Sequence, residues 1–268
     1  MTATLAADLL ATIVAATRRA VAVRAARFPV ETLEREAARR QPDGAAFAAA
    51  LRESPGPRVI AECKRRSPSR GILRADYRPA EHAASYERAG AAAISVLTEP
   101  AFFDGTIDHL RAVRDAVRLP LLRKDFIVSR YQIVEAAAAG ADAVLLIVGA
   151  LDVGELRALL QDARNAGLAA LVEVHDEREA ERAAAADARV IGVNSRNLRT
   201  LTVDPDVHER VARGLPRGAT LVAESGLSST TDLSRLEAAG YHAFLVGERL
   251  ILQDDPGAAL RALRGGGA

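Results

Sequence analysis

Six side chains suited to proton transfer or to holding charge stand at or near the ends of short apolar runs: Glu62, Lys64, Lys124, Glu173, Asn194 and Glu224. One such residue usually returns a chain to solvent. The same placement on five different runs points to a shared site instead. Side chains alternate along a strand, so Glu62 and Lys64 share one face of Ile60-Ala61-Glu62-Cys63-Lys64 and Cys63 takes the other. Ammonium and carboxylate groups gathered where water is partly excluded perturb one another's pKa, the condition that general acid–base catalysis needs.

A second constellation suits phosphate. Ser225-Gly226 and Gly247-Glu248 follow the last two apolar runs, where glycine lets the backbone approach an anion. The loop Arg65-Arg66-Ser67-Pro68-Ser69-Arg70-Gly71 adds hydroxyls and cations. Together they favour a phosphorylated ligand over simple turn-making. Phe102 and Phe103 read as core or as an aromatic wall, with the wall favoured. Cys63 reads as a small buried hydrophobe facing a helix. No ligand set accompanies His175 at a metal-binding spacing, so no metal is expected.

These residues need a scaffold that brings strand ends together. Eight apolar runs recur at the spacing of one strand–helix unit: Val59–Cys63, Ala93–Leu97, Leu119–Leu122, Ala143–Val148, Ala169–Val174, Val190–Val193, Thr220–Ala223 and Ala243–Val246. Continuous apolar runs suit parallel strands buried on both faces. The joints Ala89-Gly90-Ala91, Ala139-Gly140-Ala141 and Ala239-Gly240-Tyr241 look like helix ends. Eight units predict an α/β fold, a single (β/α)8 barrel, whose C-terminal strand ends form one mouth. A doubly wound open sheet is the rival, disfavoured because no glycine-rich dinucleotide turn is evident. Residues 1–268 read as one domain, with 1–57 a helical extension and 265–268 a frayed tail. Leu5, Leu9 and Ile13 mark one stripe of an amphipathic N-terminal helix.

Composition excludes other classes. Among 268 residues, 36 Lys and Arg face 35 Asp and Glu, without the basic excess of a nucleic-acid binder. One cysteine forms no intrachain disulfide and supports no cysteine-rich zinc site. No apolar stretch is long enough for a membrane span. Thr2–Ala16 imitates a signal peptide but lacks a basic leader and carries Asp8, so a cytoplasmic location is expected. Aromatics make up 4%, which predicts an aliphatic, alanine-lined core.

Several ordered segments resemble indole-3-glycerol phosphate synthases. They are Ile60-Ala61-Glu62-Cys63-Lys64-Arg65-Arg66-Ser67-Pro68-Ser69-Arg70-Gly71, Ser95-Val96-Leu97-Thr98-Glu99 with Phe102-Phe103, and Leu122-Arg123-Lys124-Asp125-Phe126-Ile127. Leu171-Val172-Glu173-Val174-His175, Ile191-Gly192-Val193-Asn194-Ser195-Arg196-Asn197-Leu198 and Ala223-Glu224-Ser225-Gly226 continue the likeness. The resemblance implies conversion of 1-(2-carboxyphenylamino)-1-deoxyribulose 5-phosphate to indole-3-glycerol phosphate, carbon dioxide and water. It implies Lys124 as the general acid at the substrate carbonyl and Glu173 as the proton partner in dehydration. Lys64 is implied near the phosphate and carboxylate, with an acid role of its own as the alternative. Glu62, Asn194, Arg196, Glu224 and Ser225 are implied to orient the lysines and bind sugar hydroxyls. Ser67, Gly226, Gly247 and Glu248 would complete the phosphate site, Glu248 through its backbone N–H alone. Phe103 and Phe126 would wall the ring. The cyclised iminium itself accepts the electrons released with carbon dioxide, so no cofactor is expected.

Two other readings fit the same residues: a Schiff-base aldolase with Lys64 or Lys124 as nucleophile, and a non-catalytic phosphate-binding barrel. The expected partner is a small phosphorylated molecule, with neither nucleic acid nor membrane. A monomer is the expected state.

Overall fold

The computed structural model describes residues 8–216 and 218–266. Eight parallel strands close into a barrel: β1 Val59–Cys63, β2 Ala93–Leu97, β3 Leu121–Lys124, β4 Ala143–Ile147, β5 Ala169–Val174, β6 Val190–Asn194, β7 Thr220–Glu224 and β8 Ala243–Val246. Each strand pairs with its neighbour in sequence, and β1 closes the ring against β8 through Ile60 opposite Leu245. The (β/α)8 expectation is borne out, and the open-sheet rival is excluded by this closure.

Four strands differ in extent from the expected runs: β6 and β7 each run one residue further, through Asn194 and Glu224, and β3 and β4 shift for local reasons. β3 begins at Leu121, because Pro120 has no N–H to give the ladder; its carbonyl still accepts from Ile94. The strand therefore runs through Lys124 itself. β4 stops at Ile147, and Val148–Ala150 turns into a single 3₁₀ turn.

Inward and outward residues form separate cores. Outward Val59, Ala61, Cys63, Ile94, Val96, Val172, Val174, Ile191 and Val193 pack beneath the surrounding helices. Cys63 is buried there, its Sγ 3.8 Å from the Pro79 carbonyl that opens helix Pro79–Arg88. Inward Ile60, Ala93, Leu122, Ala143, Leu145, Leu171, Val190, Val222, Ala243 and Leu245 fill the barrel. Small residues at Ala93, Ala143 and Ala243 leave room that the strands alone do not fill.

The N-terminal extension supplies the missing volume. It forms α1 Leu9–Arg27, α2 Val30–Arg40 and α3 Gly44–Glu53. Helix α3 touches β2, β5 and β7, which lie on different sides of the ring, and so plugs its lower end. Its Phe47 and Leu51 are fully buried within the inward core. A side chain at Gly44 would strike the backbone of Leu168 and Ala169, so glycine sets how closely α3 docks. Helix α1 starts at Asp8, which accepts from the Ala11 N–H and pairs with Arg199 in the loop after β6. Its buried stripe is Leu10, Ile13, Thr17 and Val21. Of the expected stripe, Ile13 is buried and half-buried Leu9 packs against the same inward core, while Leu5 lies outside the described residues.

The expected frayed tail is tied down where it is described. Gly265 and Gly266 donate to Ala262 and Arg261, while the Arg264 guanidinium binds the carbonyls of Pro55, Pro57 and Ala89. Gly267 and Ala268 lie outside the described residues.

Candidate active site

Strand parity sends Glu62, Lys124, Glu173, Asn194 and Glu224 toward the barrel axis at its C-terminal end. They line one cavity of about 430 Å3 together with Lys64, Ser67, Phe103, Phe126, Arg196, Ser225, Gly226, Gly247 and Glu248. Of the candidate side chains read from the sequence, all but Phe102 therefore reach the same mouth.

Two ion-pair systems occupy its floor. Lys64 Nζ lies 2.7 Å from Glu62 Oε1. Lys124 Nζ lies 3.3 Å from Glu173 Oε2 and 3.5 Å from Glu224 Oε2. Glu173 and Glu224 are almost fully buried, whereas both lysines keep an edge toward the opening. Burial opposes the Lys124 charge, but Glu173, Glu224 and Glu62 outweigh it and hold the lysine pKa above its usual range. Lys124 is an ammonium at neutral pH.

The two buried carboxyls diverge. Burial disfavours the Glu173 anion, yet Lys124 and His175 together hold its pKa well below the ordinary carboxylate range. Burial and the Glu173 charge push Glu224 up to about 8, against the pull of Lys124. No N–H or O–H of the described residues reaches the Glu224 oxygens in hydrogen-bond geometry. One proton shared by neighbouring Glu173 and Glu224 eases their repulsion, and burial beside the Glu173 charge favours Glu224 as its carrier.

Glycines make room for these carboxyls. A Cβ at Gly192 would meet the Glu224 carboxyl, and one at Gly247 would meet that of Glu62. Ladder register sets Gly192 beside Glu173 and Asn194 beside Glu224. The Asn194 side-chain oxygen accepts from the Arg196 N–H, and the Arg196 guanidinium donates to the Leu201 carbonyl, which shapes the loop after β6.

Lys124 is braced from behind. The neighbouring Arg123 points outward and is buried, bonded to Asp125 at 2.9 Å and Glu135 at 2.8 Å, and it also donates to Thr98 and the Gln132 carbonyl. Arg24 of α1 holds the other oxygen of Glu135 at 2.9 Å. Asp125 accepts from the Phe126 N–H, which fixes that ring 6.1 Å from Phe103. Glu99 caps the short helix Pro100–Phe103 and thereby places Phe103. Phe102 packs against the inward core instead and does not line the mouth, contrary to its expected wall role.

The rim above carries the residues expected from the sequence to hold a phosphate. Ser225 and Gly226 follow Glu224 with successive left-handed conformations, φ 63° and 70°; for a serine this backbone is costly and typical of functional turns. Gly247 precedes the helical turn Glu248–Ile251. Ser67 is buried with its Oγ 3.3 Å from that of Ser69, and Arg70 Nε reaches Glu248 Oε1 at 2.9 Å. Ser67, Ser69, Ser225 and Arg70 thus line the cavity together with Gly226 and Gly247.

His175 is the residue whose part in the site the sequence reading missed. Its ring Nε2 lies 3.2 Å from Glu173 Oε1 and its Nδ1 lies 3.0 Å from Glu179 Oε2. Parity held the signal, since positions 173 and 175 of one strand share a face.

Similar solved structures share the fold. Thiamine phosphate pyrophosphorylase from Pyrococcus furiosus superposes with a TM-score of 0.60 at 18% identity, covering 78% of this chain and 94% of that one. Among sequences, an indole-3-glycerol phosphate synthase of Mycolicibacterium smegmatis is 51% identical over 257 residues, 96% of this chain and 94% of the relative. One of Nocardioides sp. is 56% identical over 210 residues, 78% of this chain and 81% of the relative. The family model described as indole-3-glycerol phosphate synthase matches residues 10–263, from the first turn of α1 past the last strand. A match of that extent, on a barrel whose mouth holds paired lysines and carboxyls, makes the chain a member of the indole-3-glycerol phosphate synthase family.

Proposed function

We propose that the barrel mouth closes the indole ring with Lys124 as general acid. The activity is that of an indole-3-glycerol phosphate synthase: ring closure, decarboxylation and dehydration of 1-(2-carboxyphenylamino)-1-deoxyribulose 5-phosphate in tryptophan biosynthesis. The observation that carries the assignment is the position of Lys124, charged and buried between Glu173 and Glu224 with one edge open to the cavity.

Ring closure requires the aryl carbon bearing the carboxylate to attack the substrate ketone. Negative charge grows on the carbonyl oxygen, and an ammonium there supplies both attraction and a proton. Loss of carbon dioxide leaves its bonding electrons with the iminium in the new ring. Dehydration removes a ring proton and expels a hydroxyl. Glu173, held as a carboxylate, suits the proton acceptor, and an ammonium of Lys124 or Lys64 assists the departing oxygen.

Glu62 holds Lys64 near the substrate carboxylate and phosphate. Asn194, Arg196, Glu224 and Ser225 face the sugar hydroxyls in this reading. Ser67, Gly226, Gly247 and the Glu248 N–H bind the phosphate, and Phe103 with Phe126 flanks the aryl ring. Holding ring and carbonyl together converts the closure into an intramolecular step with little freedom left to lose. A monomeric active unit belongs to this reading. One domain, with α3 plugging the barrel, and a cytoplasmic location belong to the same reading.

A Schiff-base mechanism finds less support, because a lysine held as an ammonium, chiefly by the Glu173 carboxylate, is a poor nucleophile. Purified protein given the substrate should generate the indole chromophore without added cofactor. Borohydride should trap no adduct. Absence of indole from folded protein, or a borohydride-stable lysine adduct, would overturn the assignment.

A further inference from the structure

His175 has no part in the steps above, yet it contacts their central carboxylate. Glu173 has a basic group beside each oxygen: Lys124 donates to Oε2 at 3.3 Å, and His175 Nε2 lies 3.2 Å from Oε1 as a charge contact outside hydrogen-bond geometry. Glu179, in the helix Glu177–Ala185, closes the arrangement from the far side. Its Oε2 accepts from the His175 backbone N–H at 2.9 Å and sits 3.0 Å from His175 Nδ1. A Cβ at Gly149 would crowd Glu179 Oε1 at 2.7 Å, so the turn after β4 is small where this carboxylate must fit.

We propose that His175, gripped by Glu179, is a positioning residue that fixes the Glu173 carboxylate and supplies a second positive charge to it. The physical need arises during catalysis. When Lys124 gives up its proton, Glu173 loses its first cationic partner in a buried setting, where an unpaired charge is costly. An imidazolium on the opposite oxygen keeps Glu173 an anion, ready to accept the ring proton in dehydration.

The surrounding charges agree with that role. Glu173 faces the ring from its own strand and Glu179 from the following helix; Lys124 of β3 and Glu224 of β7 lie beyond Glu173; the turn Val148–Ala150 brings no ionisable group. Burial opposes the imidazolium, but Glu173 and Glu179 together raise its pKa to about 10. A histidine serving only to latch β5 to its helix would not need to be charged.

The inference rests on Glu173 as the proton-transfer carboxylate, and the experiment separates the two. Turnover is measured against pH for the wild type, His175→Asn, Glu179→Gln and Glu173→Gln with the same substrate. With the imidazolium gone, Glu173 binds protons more readily, so the acid limb of kcat in His175→Asn should lie higher by about one pH unit or more. KM should change by less than about threefold. Glu179→Gln should shift the limb in the same direction by less. An unmoved limb in folded His175→Asn overturns the proposal, whatever happens to its Tm. Near-normal turnover in Glu173→Gln would instead overturn the role of Glu173 itself. Nitrogen NMR of the wild type gives a check that needs no variant. Both ring nitrogens of His175 should remain protonated at pH 8, and a neutral ring there would also overturn the proposal.

Discussion

Lys124 and Glu173 meet at 3.3 Å although 48 residues of chain separate them, one closing β3 and the other late in β5. Barrel closure brings them together, and the second carboxyl, Glu224, approaches the same nitrogen from β7 at 3.5 Å. One ammonium between two buried carboxyls leaves an excess negative charge unless one carboxyl keeps a proton.

Glu224 keeps that proton, so the two carboxyls should respond differently to amidation. Glutamine resembles a protonated carboxyl in shape. Glu224→Gln should retain turnover within about tenfold of the wild type, whereas Glu173→Gln should lose about a hundredfold or more. Steady-state indole formation at saturating substrate measures both. Equal losses would refute the division of roles.

The same proton makes stability depend on pH. Glu224 binds it more tightly in the folded state, with a pKa of about 8, than in the unfolded chain at about 4.5. The resulting stabilisation is complete at acid pH and is lost as pH rises through 8. Urea midpoints of the wild type should therefore fall between pH 6 and pH 9 relative to those of Glu224→Gln. Parallel midpoints for the two proteins would contradict the raised pKa.

Space for the carboxyls is set by glycine. Gly247→Ala places a methyl where the Glu62 carboxyl stands, and Glu62 must move together with its partner Lys64. A displacement near 1 Å in a positioned site costs on the order of a hundredfold in rate. A loss in kcat/KM of that size is expected with the fold retained by circular dichroism. Unchanged kcat/KM would show that Glu62 need not hold its place.

Behind Lys124, Arg123 is buried between Asp125 and Glu135. Arg123→Met leaves two buried carboxylates without that partner and should destabilise the protein by about 3–5 kcal/mol. Arg24→Met removes a partner about one-third exposed and should cost no more than about 1 kcal/mol. Chemical denaturation of both variants tests the ranking, which equal losses would refute.

The barrel and most of the mouth were legible in the sequence for one physical reason. Parallel strands buried on both faces must be apolar throughout, so charged residues at the ends of β1, β3, β5 and β7 stand out. Parity alone separated Glu62 and Lys64 from Cys63. The filling of the barrel was not legible: Phe47 and Leu51 lie in an ordinary amphipathic helix, and nothing local says that the helix docks beneath the strands. Nor was the sharing of a proton between Glu173 and Glu224, which depends on a separation across the barrel. His175 was overlooked because it was weighed as a metal ligand, although its face was already set by Glu173.

The most direct test of the central claim is the turnover of Lys124→Met, which keeps side-chain length and removes the proton. The expected result is a kcat lower by about a hundred- to ten-thousandfold in a protein that still folds. A kcat within tenfold of the wild type would contradict Lys124 as the acid that closes the ring.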